Sequence, residues 1–150
     1  MKRYLSDAAA TEAFGVCLAR CLGHGIVYLE GELGAGKTTL ARGILHGIGV
    51  TDKVRSPTYS LVESYPVGPG TVHHLDLYRL ADAEELEWLG LRDLLSGSSL
   101  LLVEWPRRGA GMLPAADLEI RLEPDGPGRT AYLVAGSARG QHMLDCIKVC

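Results

Sequence analysis

Apolar side chains recur at helical spacing across residues 7–22, where Ala10, Phe14, Cys17, Leu18 and Cys21 share a face. Ser6 or Asp7 can cap this segment, and Gly23 and Gly25 stop it. Residues 26–30 form a short apolar run that opens on β-branched Ile26 and Val27, the pattern of a buried strand. After a glycine loop, residues 37–48 return to helical spacing with Leu40, Ile44, Leu45 and Ile48 together. Beyond Gly49 the period shortens. Residues 58–65 alternate loosely, 66–70 (Pro-Val-Gly-Pro-Gly) read as a turn and 71–76 as a second run, so a hairpin is expected. Residues 82–95 predict a helix, with Asp82, Glu84 and Glu85 in the first turn, where the helix dipole favours acids. The run Leu-Leu-Leu-Val-Glu at 100–104 is that of a central strand buried on both faces. Residues 117–123 and 129–135 alternate around a turn at 124–128, and 138–149 predict a terminal helix.

Within this pattern the loop Gly31-Glu32-Leu33-Gly34-Ala35-Gly36-Lys37-Thr38 fits G-x-x-x-x-G-K-[ST], and it follows a strand and opens a helix, as a phosphate-binding loop requires. Glycines permit backbone conformations that other residues avoid. The N–H groups of such a loop then form an anion nest at a helix N-terminus. Lys37 is expected to reach the β- and γ-phosphates, and the Thr38 hydroxyl to hold Mg²⁺. The fold expected is α/β: a single P-loop NTPase-like domain over residues 1–150, with a central mostly parallel sheet, flanking helices, an antiparallel hairpin portion, and 136–150 as a C-terminal tail or helix.

A P-loop enzyme also needs a carboxylate at a strand end to complete the metal shell. Glu104 closes the most apolar strand and Asp76 closes the weaker run 71–75. Either could instead be held by an ion pair, as Asp76 by Arg79, and spacing does not decide which of the two orients an attacking water. Trp105 could pack near a nucleotide or simply against the core. His73 and His74 point to opposite faces of a strand, so at most one can face the site. Residues 55–59 (Arg-Ser-Pro-Thr-Tyr) lie where P-loop switches sense the γ-phosphate, and they read equally as ordinary loop chemistry.

Composition narrows the partners. The formal net charge is −3, and only the pair Arg107–Arg108 is locally basic, which argues against direct, tight binding to nucleic acid. Lysine is scarce beside arginine, so Lys37 within a glycine loop is the more telling. The first ten residues lack a secretory pattern, and no apolar stretch approaches the ~20 residues that span a bilayer. A cytoplasmic location follows as the expectation. There a disulfide framework is not expected, and Cys17, Cys21, Cys146 and Cys150 are expected to be thiols. Cys17 and Cys21 could belong to a metal site with His24, but small apolar thiols filling a helix contact account for them more simply.

The motifs 31–39 (Gly-Glu-Leu-Gly-Ala-Gly-Lys-Thr-Thr), 56–59 (Ser-Pro-Thr-Tyr), 74–80 (His-Leu-Asp-Leu-Tyr-Arg-Leu), 84–87 (Glu-Glu-Leu-Glu) and 103–106 (Val-Glu-Trp-Pro) together resemble the TsaE (YjeE) family. The resemblance runs from about Leu5 to Ala135 and leaves the tail uncovered. It implies an ATPase of tRNA threonylcarbamoyladenosine synthesis that acts on a complex of TsaD and TsaB, with tRNA reached only through that complex. It further implies Mg²⁺ at Thr38 and Glu104, and a role in hydrolysis for Asp76, also a candidate for the metal shell. Leu33, Gly34, Ala35, Gly36, Lys37, Thr38, Thr39 and Trp105 would lie at or near the nucleotide, as would Asp7 and the pair Gly128–Arg129. Two rivals remain: a small-molecule P-loop kinase, for which the short connections leave little room for a lid, and a nucleotide switch in which binding rather than hydrolysis matters.

Overall fold

The computed structural model describes residues 1–51 and 53–150. Seven strands join one sheet: β1 (Lys2–Leu5), β2 (Gly25–Glu30), β3 (Val62–Val67), β4 (Gly70–Asp76), β5 (Ser99–Glu104), β6 (Leu118–Asp125) and β7 (Gly128–Ala135), in the order β1-β7-β6-β2-β5-β4-β3. The four central strands β6-β2-β5-β4 run parallel. β3 pairs with β4, β7 with β6, and β1 with β7, all antiparallel. The parallel core and the hairpins are those expected. β1, too short to read as a strand, adds a further antiparallel edge.

Period two along the central strands sorts side chains to the two faces. Val27 and Leu29 of β2, and Leu100 and Leu102 of β5, join one cluster with Phe14, Leu18, Leu40 and Ile44. These last come from α1 (Ala8–Leu22) and α2 (Lys37–Ile48), which cover that face with α5 (Ala138–Ile147). Leu101 and Val103 of β5 point the other way, to Leu75, Leu77, Leu86 and Leu91. This second face has thinner cover. The helix expected over 82–95 is two single turns, α3 (Glu85–Trp88) and α4 (Leu91–Leu94), because Gly90 between them takes φ +75°. Leu86 and Leu91 are buried, whereas Trp88 is 90% exposed.

Three other boundaries move. The strand expected from 58 begins at Val62, because 58–60 form a turn and Leu61 has φ +68°. Pro66 lies inside β3 rather than in the turn, since β3 is an edge strand and its missing N–H costs no ladder bond. Pro124 and Asp125 also continue β6, beyond Arg121 where its pairing with β2 ends, and the turn there shrinks to Gly126 and Pro127.

The tail departs most from expectation. Cys17 is bonded to Cys150 and Cys21 to Cys146, so the cysteines are paired disulfides rather than thiols, and nothing is left over for a metal site with His24. The cause is the antiparallel alignment of α1 with the C-terminal segment, which sets two pairs of cysteines, each four residues apart, against one another. α5 is further anchored through Asp117, whose carboxylate accepts from Ile26 N–H and the Ser137 hydroxyl.

The α1–α2 crossing is made by glycines. A Cβ on Gly43 would lie 2.2 Å from the Glu12 carbonyl oxygen, and one on Gly15 2.6 Å from that of Leu40. An alanine in a helix interior ordinarily gains about 1 kcal/mol over glycine. Here steric overlap reverses the sign, and Gly43→Ala should lower stability by about 1–3 kcal/mol, read as a shift in urea midpoint at unchanged slope. Peptide mapping without reductant should recover the cross-links 17–150 and 21–146. Closing a loop this long contributes about 5 kcal/mol in the chain-entropy account. Reduction should therefore lower the melting temperature, and an unchanged melt would contradict the pairing.

Candidate functional site

β2, β5 and β4 end at the same edge of the sheet, the place where open parallel sheets bind ligands. The loop after β2 turns into α2 through Gly36 at φ +106°. No side chain caps that helix, so its first N–H groups are available to an anion. The cleft formed there has a volume of about 400 Å³, within the range of small-molecule sites. It is lined by Leu33, Gly34, Gly36, Lys37, Thr38, Thr39, Asp76, Glu104 and Trp105, all of them expected, and also by Thr58, Tyr78 and Arg79.

Lys37 is buried. Its ammonium donates to the carbonyls of Gly31 and Glu32 and lies 4.4 Å from the centre of the Trp105 ring. Trp105 reaches this position because its backbone is left-handed, φ +56°, where the chain leaves β5. Tryptophan adopts this conformation at a cost of about 1–3 kcal/mol, so the surrounding contacts hold it there. Tyr78, whose ring centre is 5.0 Å away, is one of them. Burial draws the Lys37 pKa below the ordinary lysine value, against the pull of Glu104, Asp76 and Glu32.

The two carboxylates stand side by side, Asp76 opposite Glu104 in the parallel register. Glu104 lies 3.3 Å from the Thr38 hydroxyl through Oε1, and its Oε2 lies 2.6 Å from His74 Nε2. Asp76 accepts from Tyr78 N–H at 3.0 Å and more loosely from the Thr58 hydroxyl at 3.5 Å. The ion pair considered between Asp76 and Arg79 is not made: Arg79 stacks over Tyr59 instead. Burial raises the Asp76 pKa above the usual aspartate value, the Tyr78 N–H opposes it, and neighbouring Glu104 adds to it.

Thr38 and Glu104 supply hard oxygen donors close together. Mg²⁺ takes one or two protein oxygens and completes its shell with phosphate and water, so this donor set fits it. Among the described residues no cluster of three His, Cys, Asp or Glu could hold a metal by itself.

Four expected residues lie outside the cleft lining. Ala35 is buried within the loop, its N–H donating to Glu32 O. Asp7 caps α1 by accepting from Ala10 N–H. Gly128 packs against the end of β1, with the Leu5 carbonyl 2.3 Å from where its Cβ would be. Arg129 donates to Thr11 and flanks Gly36, and so backs the loop from the β7 side. Of the two histidines, His73 bonds to Ser64 on the opposite face, and its pKa is lowered by burial. From the sequence, His74 is one of two adjacent histidines of which at most one can face the site. Its contact with Glu104 depends on the pairing of β4 with β5, which no local pattern reveals.

Fold and site together define a P-loop α/β protein. Residues 5–131 match the family model described as threonylcarbamoyl adenosine biosynthesis protein TsaE. A Haemophilus influenzae protein named tRNA threonylcarbamoyladenosine biosynthesis protein TsaE is 47% identical over 79% of this chain and 75% of its own length. A Treponema pallidum protein of the same name is 34% identical over 86% of this chain and 96% of its own. The crystal structure of Bacillus subtilis YdiB superposes with a TM-score of 0.83 at 26% identity, covering 99% of this chain and 94% of that one. The chain belongs to the TsaE family.

The raised Asp76 pKa makes a signed prediction. A carboxyl whose folded-state pKa exceeds its unfolded value contributes stability at low pH that is lost as pH rises through the folded value. Asp76→Asn removes the charge and keeps an oxygen for the Tyr78 N–H. The variant should be more stable than the parent at neutral pH. The difference should open as pH rises from the ordinary aspartate range and then level off, in urea titrations across a pH series.

Proposed function

We propose that this chain binds ATP with Mg²⁺ in the cleft at Gly31–Thr38 and hydrolyses it slowly, in the service of threonylcarbamoyladenosine modification of tRNA. The observation that carries this reading is the convergence, in one cleft, of the uncapped α2 N-terminus, Lys37, the Thr38–Glu104 pair and Asp76. Membership of the TsaE family supports the tRNA pathway, because its curated members carry that process in their names. ATP rather than GTP, and TsaD and TsaB as partners with tRNA reached through them, rest on the family resemblance. No helix among the described residues is long and apolar enough to cross a membrane. Action in the cytoplasm rests on the family resemblance, and the disulfides 17–150 and 21–146 stand against it, because cytosolic thiols are ordinarily kept reduced.

The chemistry proposed is in-line attack of water on the γ-phosphoryl group. The loop N–H groups and the Lys37 ammonium hold the phosphates and stabilise charge on the transferring oxygens. Thr38 and Glu104 would hold Mg²⁺, which would supply positive charge to offset that of the phosphates. Both Glu104 oxygens are engaged, one toward Thr38 and one with His74, whereas Asp76 faces the cleft with a weaker second contact. Asp76 is therefore the carboxylate left to orient the attacking water. None of the basic residues is anchored against the phosphate end as a second cation beside Lys37, among those that line the cleft. Turnover by the chain alone is then slow and rises when TsaD and TsaB are present.

Lys37→Ala should abolish the heat of ATP·Mg binding in calorimetry. Asp76→Ala should retain binding and lower phosphate release by about 10²-fold or more. Fast hydrolysis by the isolated chain, or Lys37→Ala binding like the parent, would overturn the proposal. Survival of tRNA modification in Asp76→Ala would leave a nucleotide switch as the function.

A further inference from the structure

We infer that His74 is a positioning residue, fixing the Glu104 carboxylate in the orientation from which it meets a metal ion. The inference rests on the reading of Thr38 and Glu104 as metal-holding residues. His74 lies on β4 two residues before Asp76, so both side chains face the P-loop side of the sheet. Its ring is fully buried, as is nearly all of Glu104. Nε2 and Glu104 Oε2 are 2.6 Å apart, while the Thr38 hydroxyl lies 3.3 Å from Oε1 and 3.5 Å from Oε2.

The other ring nitrogen decides who donates. Nδ1 is buried and has no hydrogen-bond partner among the described residues. A hydrogen on Nδ1 would be buried with no acceptor, which costs more than an unused lone pair. The hydrogen therefore sits on Nε2 and is donated to Glu104. The terminal torsion of a glutamate is intrinsically broad, so a carboxylate held only by the Thr38 hydroxyl would sample several orientations. A donor at Oε2 selects one of them and holds Oε1 on the Thr38 side of the cleft, toward a cation shared with that hydroxyl. Imidazole suits this better than a lysine or arginine would, because it orients the carboxylate without a permanent positive charge to compete with the metal. Outer partners of metal-binding carboxylates commonly act in this way.

The test uses the full chain and reads metal binding rather than turnover. Mn²⁺ is titrated into the chain with saturating ADP and followed by electron paramagnetic resonance. ADP affinity is measured separately by calorimetry in Mg²⁺ and in EDTA. His74→Phe fills the space without a donor, and His74→Gln restores an N–H near the position of Nε2. His74→Phe should weaken Mn²⁺ binding by about 10–100-fold while ADP affinity in EDTA stays within about two-fold, and His74→Gln should recover most of the loss. If His74→Phe does not fold, His74→Asn, too short to reach Glu104, takes its place against His74→Gln. The inference is overturned if the donor-less variant binds Mn²⁺ like the parent while Glu104→Gln does not. It is equally overturned if ADP affinity falls alike with and without metal, the mark of a merely structural role. If Glu104→Gln itself binds Mn²⁺ like the parent, the underlying reading of Glu104 fails, and this one with it.

Discussion

Lys37 is a buried ammonium set among Glu104, Asp76 and Glu32, and this concentration of charge at the ends of parallel strands is what the rest of the molecule must support. Opposite charges close together would ordinarily hold one another ionised. Here burial is the larger influence on both sides, drawing the lysine down and the aspartate up. The side chains therefore do not fully compensate one another. What does complement them is a ligand that brings anionic oxygens to the ammonium and loop amides and a cation to the carboxylates, and Mg²⁺-bound triphosphate has that shape of charge. The stability given up in burying these groups is the usual counterpart of a preorganised site.

The scaffold holds this charge by burying its supports on both faces of one sheet. β2, β5 and β4 fix the loop, Glu104 and Asp76 to within the register of adjacent parallel strands, where little can slide. On one side α1 and α2 approach closely enough that only glycine fits between them, which fixes the helix whose first turn faces the cleft. On the other side two single helical turns and the segment after Trp105 make a thinner cover. Trp105 joins the two regions: its left-handed turn ends β5 and returns the ring over Lys37.

Much of this was legible in the chain itself. The glycine loop, the helix starting at Lys37 and the apolar strand ending at Glu104 all carry local signals, and all stand where those signals put them. What the sequence hid was long-range. The helix expected through 82–95 breaks because one glycine adopts a conformation that helical periodicity does not register. Pro66 reads as a turn until β3 is known to be an edge strand. The cysteines read as thiols because a cytoplasmic location is expected, and nothing local says that residues 17 and 150, separated by 133 positions, end up adjacent. The sequence leaves open whether His73 or His74 faces the site and whether 55–59 is a switch or an ordinary loop; strand pairing and loop placement put His74 and Thr58 at the cleft. In each case local propensity was outvoted by a contact between distant parts of the chain.

Side chains on β4 alternate between the cleft and the opposite core: His74 and Asp76 on one side, His73 and Leu75 on the other. The site is thus sensitive to the parity of any length change in this strand. Deleting one residue between Val72 and Asp76 would exchange the two sets, sending an aliphatic side chain to the phosphates and a carboxylate into leucine packing. The hairpin tip at Gly68 and Pro69 carries no such constraint, because pairing restarts beyond it. Homologous chains should therefore differ in length freely at that tip and hardly ever by a single position within the strand.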